Sequence, residues 1–138
     1  MKAGAMMIRD GWGSPNPVFR HFFTSTFIPD APQEIVASFD ELQRIATSPE
    51  AAMRLWEMNG AVDATELAKK VRIPTLVLHC PGDRVTPIEE GRLIAKLIPG
   101  AVFVELPGYN HVLIEGSPAF DQFFEETAAF LGTHNPVA

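Results

Sequence analysis

The chain has one cysteine, Cys80, in 138 residues. This excludes an internal disulfide framework and leaves no cysteine cluster for a structural zinc site. Basic charge is also scarce: 11 Lys and Arg stand against 17 Asp and Glu, a formal net charge of −6. A protein that grips a phosphate backbone needs a basic stripe, so nucleic acid is not an expected partner. No apolar run approaches the ~18 residues of a membrane span, and the first residues lack the long apolar core of a secretion signal. A cytoplasmic protein with no membrane partner is therefore expected. Repeats, low-complexity tracts and flexible Gly/Ser linkers are missing too. With 46% hydrophobic and 20% charged residues, the composition suits a folded domain, not a disordered chain. One domain with a modest core is expected, since chains near ~150 residues bury roughly 70% of their unfolded surface.

What is present changes character near residue 71. Residues 1–70 read as a helical region punctuated by proline, and residues 71–138 as alternating strands and helices. Without a linker between them, they are expected to form one compact unit. Lys2 to Arg9 is apolar but has no decisive period. Asp10 to Pro17 is dense in turn residues and reads as a loop. Asn16 and Pro17 then open a helix that sets Phe19, Phe22, Phe23 and Phe27 on one side. Ile35, Phe39, Leu42 and Ile45 recur at helical spacing between about residues 32 and 46. Ser48-Pro49-Glu50 starts a further helix, which carries Met53 and Trp56 and ends at Asn59-Gly60. Asp63 and Glu66 have the spacing of a capping box for a short fourth helix.

Thr75 to Cys80 is a continuous β-favouring run after Pro74, as expected of a strand buried on both faces. Thr86 and Glu89 around Pro87 predict a second capping box, opening a helix to about Ile98 that Pro99-Gly100 stops. Ala101 to Leu106 is a second strand. Residues 118–131 form a last helix aligning Phe120, Phe123, Phe124, Ala128 and Leu131, with Gly132 beyond its end. Strand, helix, strand, helix at this spacing predicts an α/β fold: a small parallel sheet of two strands flanked by helices, preceded by a helical region.

Open parallel sheets gather ligands and catalytic groups just beyond the carboxyl ends of their strands. Cys80-Pro-Gly-Asp83-Arg84 follows the first strand, and Pro107-Gly-Tyr-Asn-His111 follows the second. Parallel neighbours would bring Asp83 and His111 to the same edge. A buried carboxylate on one ring nitrogen fixes the tautomer of a histidine and stabilises the imidazolium formed when the other nitrogen takes a proton. The plainer alternative is that the Gly-Asp turn and the Asn-His pair only satisfy backbone groups in their loops.

Taken together, Pro74-Thr-Leu-Val-Leu-His79, Gly82-Asp83, Val85-Thr-Pro87, Pro99-Gly-Ala101, Leu106-Pro-Gly108 and Asn110-His111 resemble the C-terminal end of an α/β-hydrolase of the esterase-like group. The resemblance spans residues 71–131, and residues 8–60 resemble the helical cap that such proteins insert before that end. It implies that Asp83 is the acid of a catalytic triad and His111 its general base. It also implies a small acyl or ester substrate, with no metal and no organic cofactor. Cys80 stands where the family usually has glycine. The family's nucleophile, a serine in Gly-x-Ser-x-Gly, has no counterpart in this sequence, and neither has the loop that supplies its oxyanion hole.

Two residues are weak candidates for a replacement nucleophile. Cys80 would place a thiol near His111, although a buried cysteine at a strand end is ordinarily a small hydrophobe. Ser14 sits in a Gly/Pro-rich loop, where serine is ordinarily a turn residue. The resemblance makes Trp12, Phe22, Phe23 and Trp56 candidate walls of an acyl pocket, against a plainer role in the core of the cap. His79 reads as a hydrogen-bonded core residue. His21 and His134 have no carboxylate or cysteine at metal-ligand spacing, so no metal site is expected.

Large α/β domains often occupy ~200–250 residues, so this length corresponds to the half that carries acid and base. Two strands alone leave open edges, which predicts a homodimer covering the sheet edge or the cap face. The expected function is a carboxylic-ester hydrolase or a truncated remnant of one. The alternative is a non-catalytic small-ligand-binding or dimerisation module derived from the same fold.

Overall fold

The computed structural model describes residues 2–134. These divide into two compact units, Met1–Asp63 and Ala64–Ala138; residue 1 and residues 135–138 of the expected regions lie outside the described residues. The first unit holds four helices: α1 (Lys2–Gly11), α2 (Val18–Phe27), α3 (Gln33–Ala46) and α4 (Pro49–Asn59). The second holds α5 (Thr65–Ala68), β1 (Leu76–His79), α6 (Ile88–Leu97), β2 (Val102–Glu105) and α7 (Pro118–His134). The short helix α5 falls in the second unit because it packs against α6.

Helix α1 is the element that local patterning left open. Its helicity comes from packing against α4 and α2. Ile8 is buried with Phe23 and Ala52, and Trp12, Phe27 and Met53 close around them. Gly4 makes that approach possible, since a Cβ there would lie 2.8 Å from Cζ2 of Trp56. The cap expected of α4 is present, and at α2, whose cap position is Pro17, Asn16 still reaches the first turn. Asn16 Oδ1 accepts the Val18 N–H at 3.1 Å, and Ser48 Oγ accepts the Ala51 N–H at 3.2 Å, so each satisfies one orphan donor of a first turn. The phenylalanine row of α2 is less uniform than expected. Phe23 is buried, whereas Phe22 is 51% exposed, because the buried face of α2 runs through Arg20, Phe23 and Thr24, at spacings of three and four from Arg20.

A polar hub binds α2 to α3. Asp40 is buried and its carboxylate accepts the Thr24 hydroxyl and, at 3.0 Å, the His21 Nδ1–H. Gln43 Nε2 donates to Thr24 Oγ1 at 2.6 Å. Arg20, only 2% exposed, donates from Nε to the Asp40 carbonyl at 3.0 Å and from Nη1 to the carbonyls of Trp12 and Ser14. His21 therefore does have a carboxylate partner. The two residues are 19 apart in the chain, a separation that only the α2–α3 packing closes.

In the second unit β1 and β2 pair in parallel, from Leu76 opposite Val102 to His79 opposite Glu105. The α/β pattern of strand, helix, strand, helix is as expected. Strand β1 is half-buried along its length, not buried on both faces, because β2 is its only strand partner among the described residues. Cys80, Leu106 and Ala119 form the buried core, flanked by Leu78, Leu113 and Phe123.

The capping box expected at Thr86 and Glu89 does not form a side-chain cap. Helix α5 starts after Ala64, and α6 starts after Pro87. At α6 the reason is visible: the Thr86 N–H is taken by Asp83 Oδ1, so the turn before the helix is organised from upstream. Helix α7 continues through Gly132 to His134. Left-handed φ values occur instead at Gly100, Gly108 and Gly116, so Gly132 is not used as a cap. No helix among the described residues is long and apolar enough to cross a membrane.

Removing the hub carboxylate leaves the buried Thr24 hydroxyl without its acceptor. Asp40→Ala is expected to lower the unfolding free energy by about 2–3 kcal/mol in a urea titration. Ser38→Ala, on the exposed face of the same helix, is expected to change it by less than about 0.5 kcal/mol.

Candidate active site

Because β1 and β2 are parallel neighbours, the loops that follow them leave the same sheet edge. Backbone bonds lace these loops together: the Leu106 N–H donates to the His79 carbonyl at 2.9 Å, and the Gly82 N–H to the Gly108 carbonyl at 3.2 Å. The Asp83 N–H donates back to the Cys80 carbonyl at 3.1 Å, which closes the turn after β1. This framework fixes Asp83, whose side chain is 5% exposed. Its Oδ1 accepts the Val85 N–H at 2.7 Å and the Thr86 N–H at 3.1 Å. Its Oδ2 lies 2.7 Å from His111 Nδ1.

A carboxylate only accepts, so His111 Nδ1 carries the proton of that bond, and the lone pair of the neutral ring sits on Nε2. His111 is 35% exposed, in contrast to its partner. Burial pushes the Asp83 carboxyl up, but the His111 hydrogen bond and the Thr86 and Val85 amides together outweigh it. The net result is a carboxyl held below the usual aspartate value. Asp83 is thus ionised at neutral pH.

His79 is the part of this site that local reading did not connect to Asp83. It is a hydrogen-bonded, largely buried histidine, as expected: Nε2 donates to the Thr86 carbonyl at 2.9 Å. The same nitrogen lies 3.7 Å from Asp83 Oδ2. Asp83 and His79 therefore hold opposite ends of the Thr86 backbone, one the amide and the other the carbonyl. Its ring packs on α6 where Gly91 leaves room, since a Cβ there would lie 2.5 Å from Nδ1. Capping logic at Thr86 could have signalled the Asp83 turn; nothing local signalled the second histidine.

A cavity of ≈ 370 Å³ opens beside these groups, lined among others by Leu78, Cys80, Leu113 and Phe123 with Asp83 and His111. Cys80 is buried, with Sγ 4.0 Å from the Pro107 carbonyl. Burial, and then the Asp83 charge, push its thiol up, which suppresses the thiolate that nucleophilic attack requires. Ser14 belongs to the first unit, where its Oγ accepts the Asn16 N–H at 3.1 Å and its carbonyl receives Arg20. Both are the contacts of a turn residue. Gly-x-Ser-x-Gly does not occur in the sequence.

The aromatic candidates lie in the helical unit. Trp12 and Trp56 each meet Phe23 edge-on, with ring centroids 5.7 Å apart, and all three line one cavity. Phe22 meets Phe23 at 5.4 Å but is not among the residues lining it. Among the described residues no three His, Cys, Asp or Glu side chains are grouped so as to hold a metal ion.

No family model matches the chain. A pyrrolizixenacetamide deacetylase from Xenorhabdus hominickii is 32% identical over 71 residues, which is 51% of this chain and 27% of that protein. The non-heme chloroperoxidase CPO-A1 of Kitasatospora aureofaciens is 40% identical over 68 residues, 49% of this chain and 25% of its own length. Among solved structures, the esterase RhEst1 from Rhodococcus sp. ECU1013 matches with a TM-score of 0.72 and 22% identity, over 98% of this chain and 48% of that one. The chain spans about a quarter of the length of these curated relatives and about half of the esterase.

The lowered pKa of Asp83 fixes the sign of a stability effect. A carboxylate whose folded value lies below its unfolded value stabilises the fold above the unfolded value, and that contribution fades as pH falls through both. Unfolding free energies measured by urea titration should therefore decline as pH drops below 3.8, the ordinary aspartate value. Asp83→Asn should be less stable at neutral pH and show a shallower decline in the same acid range.

Proposed function

We propose that this chain, a partial α/β-hydrolase fold related in sequence to esterases and chloroperoxidases, provides the acid and the base of a carboxylic-ester hydrolase. The observation that supports this reading is the 2.7 Å bond between Asp83 and His111 Nδ1 at the shared strand edge. Asp83 holds the ring and balances its charge. His111 Nε2 takes the proton of a hydroxyl nucleophile as its oxygen bonds to the acyl carbon. When the tetrahedral intermediate collapses, the same proton passes to the departing alkoxide, and water repeats the cycle to free the acid. In this reading the nucleophilic serine and the oxyanion donors come from outside these 138 residues.

The direct test is cleavage of a short p-nitrophenyl ester by the chain together with the segment that supplies the serine. His111→Ala and Asp83→Asn are each expected to lower turnover by about 10²–10⁴-fold. Turnover that survives His111→Ala unchanged would overturn the assignment. The absence of a Gly-x-Ser-x-Gly string favours a second reading, a non-catalytic module that binds a small acyl ligand or pairs with another chain. Saturable binding of the ester, with no turnover even when that segment is present, would select it.

The same fold supports a proposal about assembly. Each strand has one neighbour among the described residues, and Val102 of β2 is exposed. A second copy covering a strand edge would satisfy the open backbone groups. Light scattering over a dilution series is expected to show a dimer; a folded monomer at low micromolar concentration would rule it out.

A further inference from the structure

We propose that His79 is a positioning residue: by holding the peptide between Thr86 and Pro87, it keeps the Asp83 carboxylate aligned on His111. The use of that alignment in ester hydrolysis rests on the hydrolase reading, but the alignment itself does not.

The turn between β1 and α6 is where the carboxylate is aimed. Asp83 Oδ1 accepts the amides of Val85 and Thr86, both within three residues of it. Donors so close in the chain move with their acceptor, so they do not by themselves fix the turn on the sheet. The start of the turn is anchored by the Asp83 N–H on the Cys80 carbonyl. Its far end needs a second anchor. The peptide between Thr86 and Pro87 has no N–H, because proline lacks one. Its carbonyl is the group by which that peptide can be held, and His79 Nε2 donates to it at 2.9 Å. His79 is the last residue of β1, so this bond runs from the sheet to the far end of the turn.

The His79 ring is itself held in place. It rests on Gly91 of α6, where a Cβ would lie 2.5 Å from Nδ1 and 3.3 Å from Cε2 of Phe103. A side chain at position 91 would push the ring aside. Nε2 also stands 3.7 Å from Asp83 Oδ2, the oxygen that His111 Nδ1 meets at 2.7 Å. The longer separation is outside hydrogen-bond reach, so His79 does not compete with His111 for that oxygen.

Removing the anchor acts through the turn. A carbonyl left unpaired in a partly buried site costs free energy, so the peptide would rotate toward water. The Thr86 amide would rotate with it and leave Oδ1. With one of its two amide donors gone, the carboxylate can swing off the line to His111. A neutral histidine takes the tautomer that the partner of one ring nitrogen imposes. His111 is therefore the reporter: an aligned Asp83 enforces the Nδ1–H form, and a displaced one does not.

Ring nitrogen chemical shifts of neutral His111, measured on the whole 138-residue chain, show which nitrogen carries the proton. His111→Ala identifies the signals by their loss. The native protein is expected to show the Nδ1–H form alone. His79→Phe keeps a ring but removes the donor, whereas Gly91→Ala keeps the donor but displaces the ring. Each is expected to shift His111 to a mixture of the two tautomers while the amide spectrum stays dispersed. His79→Gln, whose side-chain amide can reach the same carbonyl, is expected to restore the Nδ1–H form. Should His79→Phe fail to fold, Gly91→Ala decides, since alanine suits a helix interior better than glycine.

The tautomer is read without substrate, so it judges His79 alone; ester turnover under His111→Ala judges the hydrolase reading separately. A single Nδ1–H tautomer in folded His79→Phe and Gly91→Ala would overturn the proposal. So would a mixture that His79→Gln fails to reverse, which would leave His79 a packing residue.

Discussion

Asp83 keeps both carboxylate oxygens in use, and the second unit's chemistry is organised by that fact. One oxygen gathers the amides of Val85 and Thr86; the other receives His111. The amide bonds shape the turn that leads into α6, so the residue that organises that turn also orients His111. A buried anion is costly unless charge-assisted hydrogen bonds replace its hydration. Here three donors do so, and their combined pull outweighs burial in setting its acidity. The parallel register of β1 and β2 is the remaining requirement, because it delivers both loops to one edge.

The first unit contains a second histidine–carboxylate pair, and the contrast shows why composition of a pair does not determine its role. Asp40 accepts from His21 and Thr24 much as Asp83 accepts from His111. Its partners, however, come from two packed helices and not from loops at a strand edge, and the neighbouring Arg20 spends its donors on backbone carbonyls. With His21 56% exposed on the flank of α2, the pair does not face the apolar cavity of that unit. The arrangement joins α2, α3 and the loop after α1, and its energetic consequence is to fix their packing.

The legible parts of this protein were those encoded over short distances. The two strands, their parallel pairing, the helices α2, α3, α4, α6 and α7, and the meeting of Asp83 with His111 all follow from apolar period, proline and glycine punctuation, and strand-end loops. Helix α1 did not, because its residues are helical through contact: Ile8 needs Phe23 and Ala52, and Gly4 needs the Trp56 ring. The capping box at Thr86 and Glu89 was sound as spacing and was overridden by a stronger acceptor three residues upstream. Local propensity loses such contests when a charged acceptor can reach the same amide. The His21–Asp40 pair and the placement of His79 beside Asp83 were invisible for a related reason. The first spans 19 residues, and the second depends on the space that Gly91 leaves over a strand histidine.

The second unit is self-sufficient in one respect that bears on how its chemistry can be divided between segments. Each hydrogen bond described at the Asp83 carboxylate comes from residues 85, 86 and 111. The bonds that lace the two loops run between residues 79 and 108. The Asp83–His111 pair thus reaches its geometry from contacts within one compact unit. In the proposed reading a nucleophile has only to be positioned against His111; it has no part in building the pair. Preorganisation of this kind completes the costly step, burying and orienting an anion, before any further group approaches.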